Sequence, residues 1–158
     1  MAIKTTVIGA YPKPDFLPVL DWFKADDGTE SMKPTIQYEQ DVAAMGGGAE
    51  ALFVRAAQSV IDDQVRAGVD IVTDGEVRRE NYIHYHCRHL DGISFDVLTE
   101  KQVRGVYTTR LPTITGPVKR RGPFLPHDWK AAQALTDTPV KCTLPGPMTI
   151  GDTVADTY

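Results

Sequence analysis

The residues best equipped for chemistry sit together in Asp74-Gly75-Glu76-Val77-Arg78-Arg79, directly after the short apolar run Val69 to Thr73. Two carboxylates two residues apart, followed by two guanidinium groups, at the end of an apolar run read as a site. In parallel α/β sheets and barrels the strand interiors are buried, and the loops leaving the C-terminal strand ends form the working face. Extended geometry would point Asp74 and Glu76 to the same side. Gly75 between them lets the backbone turn closely or approach a ligand. The plain alternative is a solvated Asp-Gly turn with ordinary ion pairs to Arg78 and Arg79.

A second concentration of reactive side chains follows: His84, His86, Cys87 and His89. Metal ligands must converge to about 2.0–2.3 Å from one ion. On a strand His84 and His86 would share a face, and on a helix His86 and His89 would, but neither geometry gathers all four. A structural role, or one histidine lining a pocket, is therefore expected. Cys142 lies in a β-rich run and reads as a core thiol. Gly46-Gly47-Gly48 has no strand before it and no Gly-Lys-Ser/Thr after it, so it reads as a connector and not as a phosphate loop.

The elements that position these groups follow from periodicity. Thr5 to Ile8, closed by Gly9, reads as a short buried strand. The stretch from Tyr11 to about Pro34 mixes Pro, Gly and charge and reads as a long loop, with one helical turn around Val19 to Phe23. From Ala49 to Ala67, Phe53, Ala56, Ala57, Val60, Ile61 and Val65 recur at helical spacing, with Gly68 as the C-terminal cap. Val69 to Thr73 follows as a strand. Ile93 to Val97 and Val103 to Thr109 suggest a hairpin-like excursion, and Leu111 to Val118 a further strand. Pro126 to Thr136 reads as a helix with Trp129, Ala132 and Leu135 inward. Val140 to Leu144 reads as a strand, and a helix from Met148 runs to the end at Tyr158.

This order predicts an α/β fold: about the first four strands of a (β/α)8 TIM barrel, with the excursion after the second strand. A closed barrel of this type takes about 250 residues. The 158 residues therefore read as one N-terminal half-barrel, 1–158, with open edge strands that a second copy or the complementary half would cover.

Composition narrows the function classes. A net charge of −4 argues against nucleic acid or an anionic membrane surface as partner. No apolar run is long enough to span a bilayer, and the start leads into a strand, so the expected compartment is the cytosol. Two cysteines without CxxC spacing, Cys87 and Cys142, are expected to be reduced thiols.

Several segments occur in an order that resembles one family: Ile8-Gly9-Ala10-Tyr11-Pro12, Asp74 to Arg79, Leu90-Asp91-Gly92, Ile114-Thr115-Gly116-Pro117-Val118 and Leu144-Pro145-Gly146-Pro147-Met148-Thr149-Ile150. They resemble the catalytic barrel of cobalamin-independent methionine synthase and its single-barrel relatives. The resemblance implies methyl transfer to a thiol amino acid, usually homocysteine, with a zinc ion that converts the thiol to a thiolate. It implies substrate-binding roles for Ile8, Gly9 and Ala10, whose backbone would meet the substrate carboxylate, and for Asp74 and Glu76. Glu76 matches the glutamate that holds the substrate amino group, and Arg79 matches an arginine that would brace Glu76. The zinc ligands implied by the family, a His-x-Cys pair and later a Glu and a Cys, fall beyond Tyr158, so neither a metal ligand nor a catalytic residue is expected within the chain.

Departures from the pattern are informative too. Ala10 replaces a common Ser, Pro117 stands where folate-dependent members carry Asp, and Thr153 stands about where they carry Trp. These leave the methyl donor, folate or another, open. Two other readings compete: a uroporphyrinogen decarboxylase-like barrel, and a non-catalytic half-barrel that binds an amino acid and oligomerises.

Overall fold

Helix α1 (Lys33–Met45) passes through a tight 3-10 turn at Gly46–Gly48 into α2 (Ala49–Arg66). The computed structural model describes residues 3–21, 23–24 and 32–158. Periodicity gave no warning of α1, because its sequence is mostly polar and only Pro34 and Thr35 are buried. By contrast α2 buries Phe53, Ala56, Ala57, Val60, Ile61 and Gln64 along one stripe, the spacing that drives an amphipathic helix onto a core. Its end is a paired closure: Val69 N–H donates to Gln64 O and Gly68 N–H to Val65 O, with Gly68 at φ 78°. That left-handed turn satisfies two terminal carbonyls and favours glycine.

The chain divides into two units. One comprises Met1–Val19, Glu39–Arg79 and Phe124–Thr143. Within it three extended segments are bridged in parallel, Thr6 to Ile71 and Val72 to Val140. Parallel neighbours require crossover connections, and α2 supplies the first. Ile61, Val72, Ala132 and Val140 form the core, flanked by Val69 and Leu135.

The second unit comprises Leu20–Tyr38, Glu80–Pro123 and Leu144–Tyr158. A one-turn helix, α3 (His84–Cys87), precedes a long hairpin of β1 (Leu90–Val103) and β2 (Tyr107–Arg120). The excursion expected after the second strand is thus an antiparallel hairpin. Leu111 to Val118 is its returning arm and not a further strand of the parallel set. Arg104 and Gly105 both have positive φ at its tip, closed by Val106 N–H to Val103 O, a turn whose twist suits a hairpin. At its base Gly92 has φ 82°, and a Cβ there would lie 2.6 Å from the carbonyl oxygens of Gly116 and Pro117. The Leu90-Asp91-Gly92 and Gly116-Pro117 segments therefore meet at a bulge between Asp91 and Ile93.

In the first unit, α4 (Leu125–Gln133) packs Ala132 inward. Trp129 remains partly exposed, and its indole N–H donates to Val140 O at 2.8 Å. In the second unit, α5 (Pro147–Asp152) stops at Thr153, whose hydroxyl turns back to Thr149 O. The expected helix to Tyr158 is instead β3 (Ala155–Asp156), paired in parallel with β2 at Thr113 and Ile114. Ile83, Cys87, Ile93 and Val154 form this unit's core.

One expectation changes near the N-terminus. The Thr5–Ile8 segment is not a buried strand: it is bridged on one side only, and Ile8 is almost fully exposed. The helical turn expected around Val19 to Phe23 includes Trp22, which lies outside the described residues; Asp21 Oδ1 accepts the N–H groups of Phe23 and Lys24. Among the described residues no helix is long and apolar enough to cross a membrane.

Candidate functional site

The strand-end segment is held before its side chains do anything. Gln64, fully buried on α2, pairs with the Thr73 backbone through two hydrogen bonds of 2.9 Å. Thr73 Oγ1 donates to Gly9 O at 3.0 Å and accepts from Gly75 N–H. Tyr11 N–H donates to Gly75 O at 3.0 Å. Gly75 has φ 67°, and a Cβ there would lie 2.5 Å from Val60. The turn leading from the strand to the site therefore needs glycine for space and for conformation.

Glu76 has φ 56°. A side chain in the left-handed region costs about 1–3 kcal/mol and persists where its surroundings over-determine it. Those surroundings are visible. Glu76 Oε1 accepts from Thr143 Oγ1 at 2.5 Å and pairs with Arg79 Nη1 at 3.2 Å. Arg79 N–H donates to Glu76 O, and Arg79 Nη1 donates to Thr143 Oγ1 at 3.2 Å. Arg79 is buried, as is Lys13, whose Nζ donates to Arg79 O at 2.7 Å. Both side-chain contacts of Glu76 fall on Oε1, so Oε2 is an acceptor that no described residue takes.

Gly9 completes this corner. A Cβ on it would lie 2.6 Å from Glu76 Oε1 and 3.1 Å from the Thr143 methyl. The N–H groups of Gly9 and Ala10 donate to no described residue. Gly9, Glu76, Arg79 and Thr143 thus meet at the ends of the three bridged segments, while the Ile8 side chain stands out into solvent.

Asp74 is placed differently. Because Gly75 and Glu76 turn with positive φ, Asp74 and Glu76 do not share the direction an extended strand would give them. Asp74 Oδ1 instead accepts Glu76 N–H at 3.0 Å and so fixes the turn. Asp74 also lines a small cavity with Val54, Val77, Arg78 and Asp128, between α2 and α4. Arg78 serves that side: it forks onto Glu50 at 2.8 and 2.6 Å, lies 3.8 Å from Asp128 and packs over Phe53. The hydrogen bond from Arg78 holds the Glu50 carboxyl below its ordinary range.

Thr143 and Lys13 escaped sequence reasoning. Thr143 is the penultimate residue of the expected strand Val140 to Leu144, so the strand-end rule that singled out Glu76 applies to it equally. Next to it, Cys142 Sγ lies 3.9 Å from Arg79 Nη2. Burial pushes this thiol up, against the opposing pull of the Arg79 guanidinium.

The histidine-rich segment is a packing device of the other unit. His84 Nε2 meets Thr153 O at 3.1 Å and its Nδ1 meets Thr35 Oγ1 at 2.9 Å. Burial lowers the pKa of His84 to about 4 and keeps the ring neutral; with the carbonyl of Thr153 taking the Nε2 proton, Nδ1 accepts from the Thr35 hydroxyl. His86 Nδ1 faces Tyr82 O at 2.8 Å. Arg88 pairs with the fully buried Glu80 at 2.8 Å, between the rings of Tyr38 and Phe95. Among the described residues no three His, Cys, Asp or Glu side chains gather where they could hold a metal ion. The described residues therefore do not fit the zinc the resemblance implies.

Fold and site define an α/β protein with a carboxylate–guanidinium corner at parallel strand ends. Residues 3–155 match the family described as cobalamin-independent synthase, catalytic domain, and the chain belongs to that family. A methionine synthase from Sulfolobus acidocaldarius is 30% identical over 151 residues, covering 95% of this chain and 40% of the relative. A 5-methyltetrahydropteroyltriglutamate–homocysteine methyltransferase from Mesorhizobium japonicum is 35% identical over 101 residues, covering 64% of this chain and 13% of the relative. A B12-independent methionine synthase from a Shewanella species, solved in complex with selenomethionine, superposes with a TM-score of 0.76 at 30% identity. That match covers 98% of this chain and 41% of the solved one. The chain thus spans about 40% of the length of the full-coverage relatives.

Proposed function

We propose that the Gly9–Glu76–Arg79–Thr143 corner is the amino-acid-binding part of a thiol methyltransferase that methylates homocysteine to methionine. The observation that carries this reading is the constrained, largely buried Glu76 carboxylate, which spends Oε1 on Arg79 and Thr143 and keeps Oε2 for a ligand. An ammonium group on Oε2 would gain a charge-assisted hydrogen bond that an amine-free thiol cannot make. The Gly9 and Ala10 N–H groups would receive the substrate carboxylate, Asp74 would act through the backbone it caps, and Arg79 would brace Glu76.

In the same reading the three bridged segments are the first strands of a (β/α)8 barrel, and the hairpin is an insertion between the second and third. A further strand would add at the outer edge of Thr5–Ile8, where Ile3 and Ile8 are exposed. Sedimentation velocity reads whether a second copy supplies it. Zinc and the donor named for the relatives, 5-methyltetrahydropteroyltriglutamate, belong to this reading as family features, as does a cytosolic setting. The family match disfavours the uroporphyrinogen decarboxylase-like alternative, and Pro117 and Thr153 have structural places here, at the hairpin bulge and the α5 stop.

Calorimetric titration with L-methionine tests the assignment. Glu76→Gln should weaken binding by about tenfold or more, the loss expected for a hydrogen bond to a charged group. Equal affinity of the variant and the parent would reject the role of Glu76.

A further inference from the structure

Thr143 holds a place that neither an ion pair nor a packing contact explains. Its hydroxyl donates to Glu76 Oε1 at 2.5 Å while accepting from Arg79 Nη1 at 3.2 Å, and Arg79 Nη1 itself reaches Glu76 Oε1 at 3.2 Å. The three groups close a small ring. A hydroxyl has one proton to give, and the Arg79 donor on its lone pair directs that proton to Glu76. The carboxylate can rotate about its last bond, and a lone Arg79 contact would allow either oxygen to face it. With Thr143 in place Oε1 is held from two sides, and Gly9, with room for no Cβ beside Oε1 or the Thr143 methyl, closes the third.

From this geometry we infer that Thr143 is a positioning residue for amino-acid recognition: it fixes Oε1 of Glu76 so that Oε2 alone is presented to the ligand's ammonium group. The inference rests on the reading of Glu76 as the ammonium site. Thr143 touches no ligand itself. It removes rotational freedom from the carboxylate before binding, and such pre-organisation lowers the entropic cost of association. Its effect is therefore confined to ligands that carry the ammonium group.

The test compares two probes on the full chain, L-methionine and 4-(methylthio)butanoate, which is methionine without its α-amino group. Thr143→Val keeps the shape and removes the hydroxyl, and Thr143→Ser keeps the hydroxyl. Calorimetry is expected to show methionine binding weakened about tenfold in Thr143→Val, butanoate binding unchanged, and methionine binding restored in Thr143→Ser. In a Glu76→Gln background Thr143→Val should add no further loss, because its action runs through the carboxylate. A parent protein that binds both probes equally, or neither, overturns the ammonium reading of Glu76 and the inference with it. A parent that prefers methionine, combined with a Thr143→Val that retains the preference or weakens both probes alike, overturns the inference alone. If Thr143→Val does not fold, Thr143→Ser decides: methionine binding lost in a folded Ser variant overturns the inference, and binding kept supports it.

Discussion

Gly9 and Glu76 exclude one another's growth: a single methyl group on Gly9 would lie 2.6 Å from Glu76 Oε1. They are far apart in sequence, yet the glycine is required by the carboxylate. Gly9→Ala must therefore push Glu76 off Arg79 and Thr143. Overpacking of this kind costs about 1–3 kcal/mol. Methionine affinity should fall by about tenfold or more, as on loss of a charge-assisted hydrogen bond, together with a lower melting temperature. An alanine variant that melts and binds like the parent would show that the corner tolerates the methyl and is not tightly built.

Neighbouring arginines should behave differently. Arg79 is the more deeply buried, and its partner Glu76 is buried with it, whereas the Glu50 partner of Arg78 is half exposed. Breaking a buried pair by deleting one partner costs about 3–5 kcal/mol because the other charge is stranded. Glu50, released by Arg78→Met, can turn to water, and the buried Asp128, 3.8 Å from Arg78, keeps its contact with His127. Urea unfolding should therefore rank Arg79→Met as more destabilising than Arg78→Met, and only the Arg79 change should abolish methionine binding. The reverse order would refute the assignment of Arg79 to the site and Arg78 to the helix packing.

Much of this arrangement was legible in the sequence wherever a pattern was local. The stripe on α2 and the Gly68 closure follow from helical spacing and one glycine, whereas the strands expected at Val69 to Thr73 and Val140 to Leu144 are extended segments joined only by single bridges at Ile71, Val72 and Val140. Legibility failed where partners were distant or conformation was unusual. The shared direction of Asp74 and Glu76 assumed an extended backbone, which the positive φ values of Gly75 and Glu76 overturn. Thr143 looks like any β-branched residue until Val140 is bridged to Val72 and brings it beside Glu76. Helix α1 buries too little for periodicity to reveal it, and Leu111 to Val118 shows β character without showing its antiparallel partner.

The two thiols should be inert in the native protein. Burial pushes Cys87 up to about 12, with the Glu80 carboxylate adding to the effect, and burial also raises Cys142. Thiolate is the reacting form. At pH 8 a disulfide reagent such as DTNB should label neither cysteine within minutes, and both at once in guanidinium. Cys142, only partly buried and beside Arg79, should be the first to react as pH rises. Rapid labelling of Cys87 in the folded state would contradict its placement in the core.

Acid stability should report on His84. Burial is the main cause that lowers its pKa from 6.5 to about 4, with the Arg88 charge adding to it and the hydrogen bond to Thr153 O opposing. Because the folded value lies below the unfolded one, the unfolded chain binds the proton first as pH falls. Stability is therefore fully present above about pH 6.5 and is lost progressively down to about pH 4. A displacement of that size corresponds to about 3 kcal/mol. Protonating Nδ1 would also oppose the Thr35 hydroxyl that now donates to it. Urea unfolding at a series of pH values should show this loss in the parent and a flatter profile in His84→Gln, which is less stable at pH 7 but has no proton to gain. Parallel profiles for the two proteins between pH 6.5 and 4 would mean that His84 is not held neutral between Thr35 and Thr153.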